Sequence, residues 1–156
     1  MEKAAIRLQI LHQLEQDRDL ALAAALTARD AATHEENIAE NKYDTLALEA
    51  GYLAEGQSRR LQEIIAGLHA WQNLKLRHFD DETPIQVGAL VTLEDACGGQ
   101  QTLFLGPDGA GLKVRVEGRI ITVITPHSPI GRQLLGKTCG DDIQQGMQHL
   151  TIERVQ

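Results

Sequence analysis

Aromatic residues are almost missing from this chain: two Phe, two Tyr and one Trp among 156 residues. Any core must therefore be packed from aliphatic side chains, and a hydrophobic fraction of 42% is enough to build one. Cysteine is equally scarce. Cys97 and Cys139 stand far apart with no C-x-x-C spacing, which points to free thiols in a reducing compartment rather than a disulfide scaffold. Positive charge is in deficit: the net charge of −7 argues against the basic stripe of a duplex DNA binder. No hydrophobic run is long enough to span a bilayer, "LALAAALTA" (Leu20 to Ala28) included. Glu2, Glu15, Asp17 and Asp19 precede that run, the wrong sign for a secretion signal. It reads as part of a soluble helix in a cytoplasmic protein with no membrane partner.

Proline is absent from residues 1–78, and glycine there is confined to Gly51, Gly56 and Gly67. Ala, Leu, Glu and Gln, all strong helix formers, dominate instead. Ile10, Leu14, Ala21, Ala25, Ala28 and Ala32 recur at three-, four- and seven-residue steps. Tyr43, Leu46, Ala50, Leu53, Ile64, Leu68 and Trp71 make a second such stripe. Neither helix can bury its stripe alone, so the two are expected to fold back as an antiparallel coiled-coil hairpin over 1–78. At about 1.5 Å rise per residue, such an arm is on the order of 45 Å long. The alanines of the first stripe let the helix axes approach closely.

The grammar changes at "RHFDDETPIQVG", residues 77–88, where acids and Pro84 break the helical period. Residues 79–86 read as a linker and 87–156 as a second domain. Strand-like runs follow at 86–95, 100–106, 118–125 and 147–156, separated by Gly-rich turns. Between the last two lies "SPIGRQLLG". Ser128 suits an N-cap, Pro129 the first helical position and Gly136 the position after the C-cap. The expected fold class is α+β: a helical hairpin, then a small twisted antiparallel sheet with one short helix.

The turn between the two helices, "THEENIAENKYD", crowds Glu35, Glu36, Glu40 and Asp44 against one lysine, Lys42. Asn37 with Glu40, or Asn41 with Asp44, fits a capping box, and acids in a first helical turn gain roughly 0.3–1 kcal/mol from its dipole. That accounts for one or two carboxylates. The other reading is chelation: Mg²⁺ takes oxygen ligands, and an exposed acidic tip can complete a site shared with another protein's carboxylates and a phosphate. His34 beside the glutamates lacks the cysteine-rich company of structural zinc. Arg59, Arg60, Lys75 and Arg77 are candidates for weak contact with a phosphodiester backbone, although Glu55 and Glu63 interleave them as on a solvated helix face.

The run "ITPHSPIGRQLLGKTCGDDI", 124–143, resembles the C-terminal signature of the bacterial Gre-type transcript cleavage factors. Ser128, Pro129, Ile130, Gly131, Arg132, Leu134, Leu135, Gly136, Lys137, Gly140 and Asp141 carry the likeness. "VGALVTLED" and "LFLGPDGA" are similar to that family's first strands and Gly-Pro-Asp turn. The resemblance implies an FKBP-like C-terminal domain, a monomer, and bacterial RNA polymerase as partner. In that picture His127 to Arg132 (His127, Ser128, Pro129, Ile130, Gly131, Arg132) dock at the rim of the polymerase secondary channel, and the arm reaches the nascent RNA 3′ end. Glu36 and Glu40, with Glu35 and Asp44 nearby, would then help hold a Mg²⁺ that the polymerase supplies. The chain is expected to be no enzyme by itself and to have no cofactor of its own.

The family tip reads Gly-Asp-x-x-Glu-Asn-x-x-Tyr. Aligning Glu36-Asn37 on its Glu-Asn puts Thr33 at the Asp position, and aligning Glu40-Asn41 puts Asn37 there. Cleavage stimulation and channel occupancy without cleavage therefore both stay open. A prolyl isomerase of the same fold needs a pocket lined by several aromatics, and residues 84–156 hold only Phe104. A plain coiled-coil interaction protein needs exposed apolar surface, which the hairpin is expected to consume.

Overall fold

A computed structural model describes residues 2–33 and 45–156. The order of elements is α1 (Lys3–Thr33), α2 (Thr45–Asn73), β1 (Leu90–Glu94), β2 (Gln100–Leu105), β3 (Lys113–Val116), β4 (Arg119–Ile124), α3 (Pro129–Leu134), β5 (Asp142–Gln145) and β6 (Gln148–Val155). None of the described helices is long and apolar enough to cross a membrane. The chain divides into two compact units, His12–His69 and the combination of Met1–Leu11 with Ala70–Gln156.

The helical unit follows the expected periodicity on α1, where Leu14, Ala21, Ala25 and Ala28 are buried. On α2, Ala50, Ala54, Gln57, Leu61, Ile64 and Leu68 are half-buried or buried at alternating steps of four and three, and Ile65, Gly67, Ala70 and Trp71 join them toward the helix end. That alternation is the coiled-coil repeat. It corrects one expected stripe residue: Leu53 falls beside the repeat rather than in it and is 58% exposed. Leu20, Leu22, Leu26, Leu48 and Tyr52 are exposed too, so the hairpin leaves more apolar surface open than its stripes suggested.

The other unit is built on a six-stranded sheet in the order β3-β4-β2-β1-β6-β5. The fold is α+β as expected, with a refinement of the sheet. Four pairings are antiparallel, whereas β2 and β4 run parallel. The cause is a strand the sequence reading passed over: β3 precedes β4 and pairs antiparallel with it, which turns β4 to run alongside β2. Both parallel strands end in fully buried runs, as parallel pairing usually requires. The β3–β4 turn has positive φ at Glu117 (51°) and Gly118 (76°), as a two-residue type I′ hairpin demands. Glu is an unusual choice there, and this hid the hairpin.

One core cluster joins Val91, Leu93, Leu103, Leu105, Ile124, Leu134, Ile143, Leu150 and Ile152. Phe79 and Ile85 belong to it as well, so the segment 79–86 is anchored to the core near both of its ends. Ile85 donates to the Lys137 carbonyl (2.8 Å) and accepts from the Gly136 N–H (2.9 Å), which pins the exit of α3. The ends of the long helices are bound into the same unit. Trp71 is fully buried, donates from Nε1 to the Asp108 carbonyl (2.9 Å) and meets Phe104 edge-on at 5.3 Å. The Gly-Pro-Asp turn is thus the seat of this indole. Lys3 Nζ donates to the carbonyls of Arg77, Gly88 (2.8 Å) and Gln156 (3.2 Å). Burial, then the Arg77 guanidinium, hold its ammonium below the ordinary lysine range.

Candidate functional site

The strongest sequence motif lies where β4 gives way to α3. Thr125 is the one buried polar residue among those described, and its carbonyl accepts from both the Ser128 N–H (3.0 Å) and the Ser128 hydroxyl (2.7 Å). Ser128 Oγ in turn accepts from the N–H groups of Thr125 and Gly131, each at 3.3 Å. Ser128 is therefore the N-cap, Pro129 opens the helix, Leu135 is its C-cap and Gly136 follows at φ 79°. A β-carbon at Gly131 would stand 1.9 Å from the Thr125 carbonyl oxygen, so only glycine fits.

These contacts divide the six docking candidates. Ser128 and Gly131 build the turn, and Ile130 packs half-buried against the core. His127, Pro129 and Arg132 are exposed and available to a partner. Beside them α3, β5 and β6 border an open groove of about 470 Å³ lined by Arg132, Gln133, Leu135, Lys137, Asp142 and His149. Leu135 is 39% exposed, and neither Arg132 nor Lys137 forms an ion pair among the described residues. An apolar side chain flanked by free cations suits an apolar, acidic partner surface. Leu135 was detectable as the position three residues after Arg132. His149 was not, because it comes from β6 and reaches the groove only through the sheet.

Glu35, Glu36, Glu40 and Asp44, with the capping-box candidates Asn37 and Asn41, lie outside the described residues. Among the described residues, no three His, Cys, Asp or Glu side chains stand close enough to hold a metal ion. Arg59 and Arg60 are exposed on α2. Arg59 pairs with Glu55 at 3.3 Å, an exposed i,i+4 bridge of the kind worth about 0–1 kcal/mol. Both cysteines are free. Desolvation first, then the Asp81 carboxylate, push the Cys139 thiol above its ordinary range, the wrong direction for a nucleophile. Phe104 is fully buried against Trp71 and so lines no isomerase pocket. On the sheet, Glu153 accepts from Gln100 Nε2 at 2.6 Å; desolvation, then the adjacent Glu94 carboxyl, raise its pKa.

No family model matches the chain, and no curated protein matches it. Solved structures do. GreA factor homolog 1 of Thermus thermophilus is 17% identical, with a TM-score of 0.39 and 94% of each chain covered. Gfh1 of Thermus aquaticus is 19% identical, with a TM-score of 0.36, covering 99% of this chain and 96% of that one. The prokaryotic transcription elongation factor GreA/GreB from Nitrosomonas europaea is 19% identical, with a TM-score of 0.37, over 69% of this chain and 91% of its own. Over most of its length, then, the chain is similar at low identity to solved Gre-type factors.

Proposed function

We propose that this chain binds bacterial RNA polymerase through the α3 face of its C-terminal domain and presents the acidic turn near 33–44 toward the catalytic centre. Glu36 and Glu40 would lend carboxylate oxygens to a Mg²⁺ of the polymerase, stimulating its hydrolysis of backtracked RNA. The observation that carries this reading is the run Ser128–Lys137, which resembles the Gre-type signature and leaves His127, Pro129 and Arg132 exposed at a tightly capped helix start. Ser128 and Gly131 explain why the motif is specific in residue type, and the exposed three explain what it offers a partner.

The test adds purified protein to polymerase stalled on backtracked RNA and follows RNA length, with binding measured in parallel. Pro129→Ala together with Arg132→Glu should weaken binding and leave the fold intact. Glu36→Ala or Glu40→Ala should abolish cleavage and spare binding, since a Mg²⁺ site with few protein ligands has none to spare. Unchanged polymerase binding by the α3 double variant would sink the docking assignment.

A second reading is favoured by the tip itself, where neither register recovers the family's Asp and Glu together. In that reading the chain occupies the channel without stimulating cleavage. Wild-type protein that competes with a cleavage-competent factor, yet never shortens the RNA, would select it.

A further inference from the structure

The two edges of the sheet are finished differently. At one edge α3 closes β5: Gln133 Nε2 donates to the Gln144 carbonyl (2.6 Å), and Gln133 Oε1 accepts the Gln144 N–H (3.0 Å). A side-chain carboxamide thus stands where a neighbouring strand would. The opposite edge, β3, has no such cover among the described residues.

The register of β3 shows what that edge presents. Val116 pairs with Arg119 across the two-residue turn, Val114 with Ile121, and Val123 donates to the Leu112 carbonyl at 2.7 Å. Leu112, Val114 and Val116 therefore bond inward to β4. Lys113 and Arg115 alternate with them and turn their main-chain N–H and C=O groups away from the sheet. Neither has another main-chain partner among the described residues. Their side chains share a face with Thr122 and Ile120, which lie directly opposite, and Ile120 is 53% exposed. Val114 and Val116 fill the other, buried face. Lys113 and Arg115 form no ion pair among the described residues, on a chain of net charge −7.

We propose that the open β3 edge docks an extended acidic segment of a partner protein, which adds to the sheet as one more strand. The free main-chain groups supply the ladder, and the cations choose the sequence. Lysine and arginine on an edge normally deter indiscriminate pairing, and glutamate or aspartate at alternate positions converts that deterrent into attraction. Ile120 offers the intervening apolar contact. A second copy of this chain does not fit, because two-fold pairing of β3 with β3 sets the basic rows against each other. A nucleic-acid strand brings phosphates but no matching ladder of N–H and C=O groups. Its bases would also find no exposed aromatic here, since Phe104 and Trp71 are buried.

The probe is a fluorescein-labelled peptide alternating Glu with Val, titrated against the full chain and followed by anisotropy. Amide exchange is measured in the same complex. Binding with new protection at the Lys113 and Arg115 amides is expected. Arg115→Pro removes an outward main-chain donor together with one cation, a substitution an edge strand tolerates, and should weaken binding by roughly tenfold or more. Lys113→Glu with Arg115→Glu should do the same while leaving the ladder untouched, and decides the matter if Arg115→Pro unfolds. Absence of peptide binding, binding without amide protection, or equal binding by a uridine oligonucleotide would each overturn the proposal.

Discussion

Gly106 and Trp71 offer a perturbation of one carbon atom. A β-carbon at Gly106 would lie 2.2 Å from Trp71 Cζ2 and 2.5 Å from Cη2. The φ of Gly106 is not positive, so Gly106→Ala adds no backbone strain and isolates the steric conflict. Trp71 cannot retreat freely, because its Nε1–H is held by the Asp108 carbonyl at 2.9 Å and its ring by the edge of Phe104. Overpacking a tight core costs about 1–3 kcal/mol. Losing the indole hydrogen bond adds about 1 kcal/mol, so the expected loss is roughly 2–4 kcal/mol out of a typical domain's 5–15. Trp71 is the chain's only tryptophan, so its emission in a urea titration reports the unit that the substitution strains. The native emission should also shift to the red as the ring is levered toward water. Gly51→Ala is the opposed control: it sits in an exposed stretch of α2 with nothing within 4 Å, and should stabilise by up to about 1 kcal/mol. Gly106→Ala with wild-type emission and an unchanged urea midpoint would refute the packing argument.

Two further outcomes follow from burial and charge. Leu68→Asp places an unpaired carboxylate at a site only 3% exposed and should lose helical circular dichroism at a cost of several kcal/mol, whereas Leu53→Asp should change stability by no more than about 0.5 kcal/mol. Equal damage from both would contradict the register of α2. Glu153 has a folded pKa raised above its ordinary 4.5, so its contribution to stability is fully present below 4.5 and is lost as pH rises through the folded value. Glu153→Gln should therefore raise the melting temperature at neutral pH and lose that advantage in acid below 4.5. An advantage that grows in acid would refute the assignment.

The helical half was legible because its signals are local. Missing proline, strong helix formers and a repeat of three and four specify a helix within a few turns, whatever surrounds it. The α3 start was legible for the same reason: Ser128, Pro129 and Gly136 act on backbone groups within one turn of themselves. Three things needed the tertiary structure. The parallel pairing of β2 with β4 depends on β3, a strand of four residues that closes through Glu117, whose side chain does not advertise a positive φ. Leu53 looks like a stripe residue in isolation, and only the phase set by Leu61, Ile64 and Leu68 turns it outward. The groove beside α3 combines that helix with Lys137 and with His149 of β6, and no local pattern announces which strand a helix will lie beside. Local capping and periodicity are written in the neighbours of a residue. Pairing partners and groove walls are decided by which distant segments bury each other's apolar faces, and that is settled only when the whole sheet closes around Leu93, Leu105 and Ile152.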